Sequence, residues 1–147
     1  ALGHYQPGVG LTELKVALEQ QPVSLVVENA QTPDCGILSL LNAFFHAAED
    51  NRLPVSMTFD MANWHWVGQD AFAAAERLAR HVSYVHVKAA THGLRGWRAV
   101  ALDDRDGSLR DLQTHFPLDV PRGCEFPLQG DNLEDFTSYY AHLLPAD

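Results

Sequence analysis

Apolar positions along the chain switch between two periods. Over 11–21, Leu11, Leu14, Ala17 and Leu18 recur at helical spacing, with Thr12 near the expected cap and Pro22 as the stop. Val23-Ser24-Leu25-Val26-Val27 is a short β-branched run and predicts a strand that ends on Glu28. The stretch 29–36 contains Asn29, Thr32, Pro33, Asp34 and Gly36, which predicts a loop. Helical spacing returns over 37–51 through Leu38, Leu41, Phe44, Phe45 and Ala48. The same order then repeats. Pro54 opens a strand over 55–59 that ends on Asp60, and a loop through Asn63, Trp64, His65 and Trp66 leads to an alanine-rich helix near 70–81. A third strand over 82–85 ends on His86, and a longer loop over 88–107 holds a hairpin arm at 97–102. Ser108 is placed to cap a helix ending near His115. A fourth strand at Arg122-Gly123-Cys124 reaches Glu125, and a last helix spans 133–144.

Strands alternating with helices over short connections predict an α/β fold: about four parallel strands, each followed by a helix. Neither a linker nor a low-complexity stretch interrupts 1–147, so one domain is expected. At 46% hydrophobic and 20% charged, the chain has material for a core and does not resemble a disordered segment. Its formal charge of −9 argues against a nucleic-acid backbone or an anionic membrane as partner. No apolar run approaches the ~20 residues of a membrane span, and no signal peptide is visible, so a cytoplasmic location is expected. Cys35 and Cys124 lack metal-type spacing, and Cys124, inside a strand-like run, is expected to be a buried thiol.

The strand ends carry the candidate chemistry. Glu28, Asp60, His86 and Glu125 each stand where a parallel strand finishes, and ligand sites of α/β sheets and barrels form at that edge. Three carboxylates at one mouth would repel one another and resist ionisation. One divalent cation removes the conflict, and carboxylates with one imidazole suit Mn²⁺ or Mg²⁺ while tolerating Zn²⁺ or Co²⁺. Glu125 follows an apolar run and precedes Phe126-Pro127, where an unpaired charge would be costly.

The stretches VVENAQT, TFDMANWHWVGQD, VSYVHVKAA and RGCEFPLQGDN resemble the second half of the sugar phosphate isomerase/epimerase family, the xylose isomerase-like TIM barrels. The resemblance covers almost all of the chain. It implies the C-terminal half of a (β/α)8 TIM barrel, with strands equivalent to the fifth to eighth. It also implies that Glu28, Asp60, His86 and Glu125 are the metal ligands and that Glu28 and Glu125 form the acid/base pair. The implied activity is metal-dependent isomerisation or epimerisation of a sugar, keto-sugar or sugar phosphate by proton abstraction next to a carbonyl. A keto-cyclitol dehydratase or other lyase uses the same scaffold, and a non-catalytic half-barrel binding module is the remaining alternative. The family's abasic-site endonucleases need further histidines and a basic groove. Val87-Lys88-Ala89-Ala90 after His86 and the acidic charge supply neither. Where some sugar epimerases carry His three residues after the Asp, this chain has Asn63.

A TIM barrel needs eight strands and typically ~250 residues. The chain is therefore expected to be a fragment of a longer single-domain protein, or to pair with a second copy that covers the open sheet edges. Substrate-binding candidates follow from position. Trp64 and Trp66 either wall a sugar pocket or plug the barrel mouth. His65 is expected to be exposed or to sit behind the ligands. Lys88 shares a face with His86 and either reaches a substrate oxygen or is solvated. Arg98 and Arg95 lie in the long loop, and with Gly107-Ser108 and Gln129-Gly130-Asp131 they are candidate phosphate contacts. Asn29, beside Glu28, either orients the metal or a hydroxyl, or is a turn residue. With Asn63, these complete the candidate site.

Overall fold

A computed structural model describes residues 5–103, 105–127, 132–141 and 144. In chain order they form α1 (Thr12–Glu19), β1 (Leu25–Glu28), α2 (Pro33–Gly36), α3 (Leu38–Asp50), β2 (Val55–Asp60), α4 (Ala71–Leu78), β3 (Val82–Val87), β4 (Ala89–Gly93), β5 (Gly96–Val100), α5 (Gly107–Gln113), β6 (Arg122–Cys124) and α6 (Leu133–Ala141). The protein is mixed α/β. A parallel sheet of order β1-β2-β3-β6 is its centre, and β4-β5 is a separate antiparallel hairpin. No described helix is long and apolar enough to cross a membrane.

Side chains alternate across each strand, so one sequence supplies two unlike faces. Val27, Met57, Phe59, Val85 and Val87 belong to a single buried cluster with Leu41, Phe44 and Phe45 of α3, Ala74 and Leu78 of α4, and Leu112 of α5. The opposite face carries Val26, Glu28, Ser56, Thr58, Asp60, Tyr84 and His86. A register slip makes this division possible. Met57 aligns with Val82, yet Thr58 aligns with Tyr84, leaving Ser83 as an extra residue. Val82 can therefore enter the core while His86, an even number of residues later, turns to the polar face beside Asp60.

Local chemistry explains several of the helix boundaries. Asp70 caps α4, its carboxylate accepting from the N–H groups of Phe72 and Ala73. Gln69 Oε1 takes the Leu38 N–H at 3.2 Å, which satisfies one free donor at the start of α3. Arg52 closes α3 in the left-handed region at φ 54°, with the Leu53 N–H returning to Ala48 O at 2.9 Å.

Several boundaries differ from the sequence reading. The loop expected over 29–36 contains the short helix α2, and the tryptophan loop is wound as a 3-10 segment, Asn63–Val67. Asp106, not Ser108, caps α5, because its carboxylate accepts the Ser108 N–H at 3.0 Å. Thr12 is the first residue of α1 and makes no cap hydrogen bond. The hairpin starts earlier than expected, at Ala89, and turns through Leu94-Arg95 between Gly93 and Gly96, the latter at φ 90°. The far end of the last predicted helix, at 142–143, lies outside the described residues. Cys124 is exposed and Cys35 buried, the reverse of the emphasis that the sequence suggested. Cys124 sits on β6, the edge strand, and no described strand pairs with its far side.

Candidate metal centre

Register brings the four strand ends together. Glu28 aligns with Thr58, so Asp60 lies two residues beyond it; Asp60 aligns with His86, and His86 with Gly123. The ladder continues one step through the Glu125 N–H, which donates to Val87 O at 3.2 Å. One donor atom each from Glu28, Asp60, His86 and Glu125 lies within 4.8 Å of all the others. His86 Nδ1 is 2.8 Å from Glu28 Oε1, 3.4 Å from Glu125 Oε2 and 3.8 Å from Asp60 Oδ2. Bonds of ~2.1 Å to one octahedral ion separate opposite donors by about 4.2 Å. With donors up to 4.8 Å apart, the cluster would contract by about 0.6 Å at its widest to share such an ion. Nδ1 is the ring nitrogen turned toward the carboxylates and is the one able to ligate.

Asp60 is the deepest member, fully buried at 0% exposure. Its Oδ1 accepts from the N–H groups of Ala62 at 2.9 Å and Asn63 at 2.8 Å. Its Oδ2 is buried without a hydrogen-bond partner among the described residues. Lys88 Nζ lies 2.6 Å from that oxygen, an ion-pair contact without the alignment of a hydrogen bond. A buried carboxylate oxygen facing an imidazole nitrogen and two glutamates, with the Lys88 ammonium as its close cation, has the donor chemistry of a metal ligand.

Asn29 fixes where Asp60 points. Its side chain imitates a strand: Nδ2 donates to Asp60 O at 3.0 Å and Oδ1 accepts the Asp60 N–H at 2.8 Å. Asn63 Nδ2 in turn donates to Asn29 O at 2.8 Å, and Gln31 Nε2 donates to Asn63 Oδ1 at 3.0 Å. Asn29 therefore positions Asp60 and is more than a turn residue. Asn63, a candidate substrate contact, has its side-chain amide occupied at both ends within the scaffold.

Lys88 is neither solvated nor free. It is 4% exposed, and its ammonium also donates to Glu125 Oε2 at 2.7 Å. Burial works to lower its pKa, but the Asp60 and Glu125 carboxylates outweigh that and hold it above its ordinary value. Burial pushes the Asp60 carboxyl up to about 6, against the pull of Lys88. Burial also acts to raise Glu125, but Lys88 and Asp60 outweigh it and hold the group below the usual carboxylate range.

The remaining candidates scatter. Trp64 is fully buried, 5.4 Å from Phe59 between ring centroids, and has no accessible surface for a substrate. Of the two readings offered for it, packing is the one its burial supports. His65 is exposed and stacks on Trp97 at 4.9 Å, with Trp66 6.2 Å from the same ring. These contacts tie the loop after β2 to the hairpin. Arg98 is exposed on β5 and lines a concavity of about 720 Å³ with Val100, Pro127, Phe136 and Tyr140. Arg95 is exposed in the hairpin turn, and Gly107-Ser108 is exposed at the start of α5. Gln129-Gly130-Asp131 lies outside the described residues.

Two contributors escaped the sequence reading. Tyr84 presents its ring edge-on to His86 at 5.5 Å, and a Cβ at Gly123 would collide with its hydroxyl. Gln31 steadies Asn63 from an exposed loop. Tyr84 was visible as a polar aromatic two residues before His86, on the same face; nothing local marks Gln31. The chain matches no family model and no curated protein.

Proposed function

We propose that this chain is the C-terminal half of a (β/α)8 barrel and carries the metal centre of an isomerase or epimerase acting on a sugar, keto-sugar or sugar phosphate. One observation carries the reading. Four neighbouring parallel strands bring Glu28, Asp60, His86 and Glu125 together with their donor atoms within 4.8 Å. The open polar face and the two unpaired edges, β1 and β6, among the described residues support a barrel completed by further strands, from the rest of the protein or a second copy.

Glu28, Asp60, His86 and Glu125 would hold one divalent ion, Mn²⁺ or Mg²⁺ before Zn²⁺ or Co²⁺ by the oxygen-rich donor set. Bound there, such an ion supplies a Lewis acid that polarises a carbonyl and acidifies the neighbouring C–H. Asp60 is the anchor: its Oδ1 is held by two backbone N–H groups and its backbone by Asn29. Glu28 and Glu125 are the more accessible carboxylates, with side chains 36% and 50% exposed. They are the pair able to take a proton from one substrate carbon and return it to another. His65 and Trp66, in the loop after β2, contact Trp97 of the hairpin that carries Arg98, and His65, Trp66 and Arg98 are the accessible candidates for substrate contact.

The test is proton exchange. The protein carrying this chain, supplied with Mn²⁺ in D2O, is incubated with a panel of ketoses, ketose phosphates and keto-cyclitols. Deuterium appearing beside the carbonyl, lost in Glu28→Gln and Glu125→Gln, supports the reading. Water elimination without exchange points to the dehydratase instead. Absence of both from every substrate, in protein shown to bind Mn²⁺, overturns the catalytic assignment.

A further inference from the structure

Charges at the mouth do not balance. Glu28, Asp60 and Glu125 supply three carboxylates against the single ammonium of Lys88. Lys88 Nζ stands 2.6 Å from Asp60 Oδ2 and 2.7 Å from Glu125 Oε2. Both oxygens also face His86 Nδ1, so they are the ones an ion held by this cluster would use. The ammonium already occupies two of the four ligands. Its side chain is 5% exposed, yet its stem is a flexible four-carbon chain that can swing aside.

Resting on the proposed metal site, we infer that Lys88 is a tethered counter-cation that holds Asp60 and Glu125 in the metal-free protein and must leave their oxygens when a divalent ion binds. Two cations bound to one pair of carboxylate oxygens repel strongly in a buried setting. The doubly charged ion wins because the cluster carries an excess of two negative charges. Lys88 lies just past the end of β3 and shares the polar face with His86, so the released ammonium remains at the mouth. There the next available acceptor is an oxygen of the substrate. Without metal, the same side chain offsets the repulsion between Asp60 and Glu125.

The sequence offers a convenient readout, because its only lysines are Lys15 and Lys88. Lys15 lies on α1 beside Glu19, away from the cluster, and is an internal control. Acylation of each amine is followed by mass spectrometry with a chelator and again with saturating Mg²⁺. The expected result is a roughly tenfold rise in Lys88 labelling with Mg²⁺ and no change at Lys15. In parallel, Lys88→Met is expected to bind Mn²⁺ about tenfold more tightly by calorimetry, with a lower melting temperature in chelator. If Lys88→Met does not fold, labelling of the unaltered protein decides alone. Mg²⁺ that binds without exposing Lys88, or Mn²⁺ bound equally or less tightly by Lys88→Met, overturns the displacement and leaves the metal site standing. Failure of both proteins to bind either ion overturns both.

Discussion

Phe59 and Asp60 are neighbours in β2 and both are fully buried, yet they belong to different regimes. Phe59 faces the helices, with ring centroids 5.4 Å from Trp64 and 4.8 Å from Phe116. Asp60 faces the other way, into a cluster whose charges repel. The helix-covered face gains stability from every apolar group removed from water. The polar face places carboxylates together at a cost, which Lys88, His86 and backbone N–H groups only partly offset. One face holds the sheet together, so the other is free to carry an arrangement unfavourable by itself but suited to a cation. Parallel sheets are ordinarily covered on both sides. Here Val26 is 44% exposed on the polar face, so that side lacks the cover of the other.

Truncating the covered face should give the largest effect. Phe59→Ala is expected to cost ~3–5 kcal/mol in urea denaturation. Its folded fraction should keep its Mn²⁺ affinity within a few-fold. Loss of metal binding in that variant would mean that the two faces are not separable.

One residue further, Asp60→Asn inverts the outcome. Mn²⁺ affinity should fall by about 100-fold, equivalent to ~2.7 kcal/mol. Stability in chelator should change less than in Phe59→Ala. Calorimetry and denaturation on the same sample distinguish the two.

The third expectation concerns pH. Burial raises the Asp60 carboxyl from 3.8 to about 6. Between those values the folded chain retains a proton that the unfolded chain has released, so this group makes stability fall as pH rises through the window. The slope should approach one proton in chelator and flatten in Asp60→Asn. Glu125, held below its ordinary value, acts in the opposite direction at lower pH. A denaturation series over this range reads both. The smallest effect belongs to the covered side: Asp70→Ala removes the α4 cap at a cost of ~1 kcal/mol and should leave metal affinity unchanged.

Periodicity revealed most of the scaffold because burial acts on every residue of an element. The core positions Leu41, Phe44 and Phe45 and the strands at 55–60 and 122–124 stood out as runs. The segments it misread are short and governed by particular contacts: α2, the 3-10 turn at Asn63–Val67, and the Asp106 cap. Lys88 was misjudged because its burial depends on two carboxylates distant in the chain, which no local pattern reports. Trp64 could not be divided between pocket and packing for the same reason, and Asn63, expected at the substrate, has its amide taken up by Asn29 and Gln31, both distant in the chain.

By itself the sequence determined that polar, metal-capable residues terminate successive strands, because alternation and strand length are local properties. Tertiary structure alone decided that these residues meet. Strand order, the slip at Ser83 and the Asn29 clamp on Asp60 set the distances among Glu28, Asp60, His86, Lys88 and Glu125. Electrostatic interaction falls with distance and grows with burial, and both are settled only when separate strands pair.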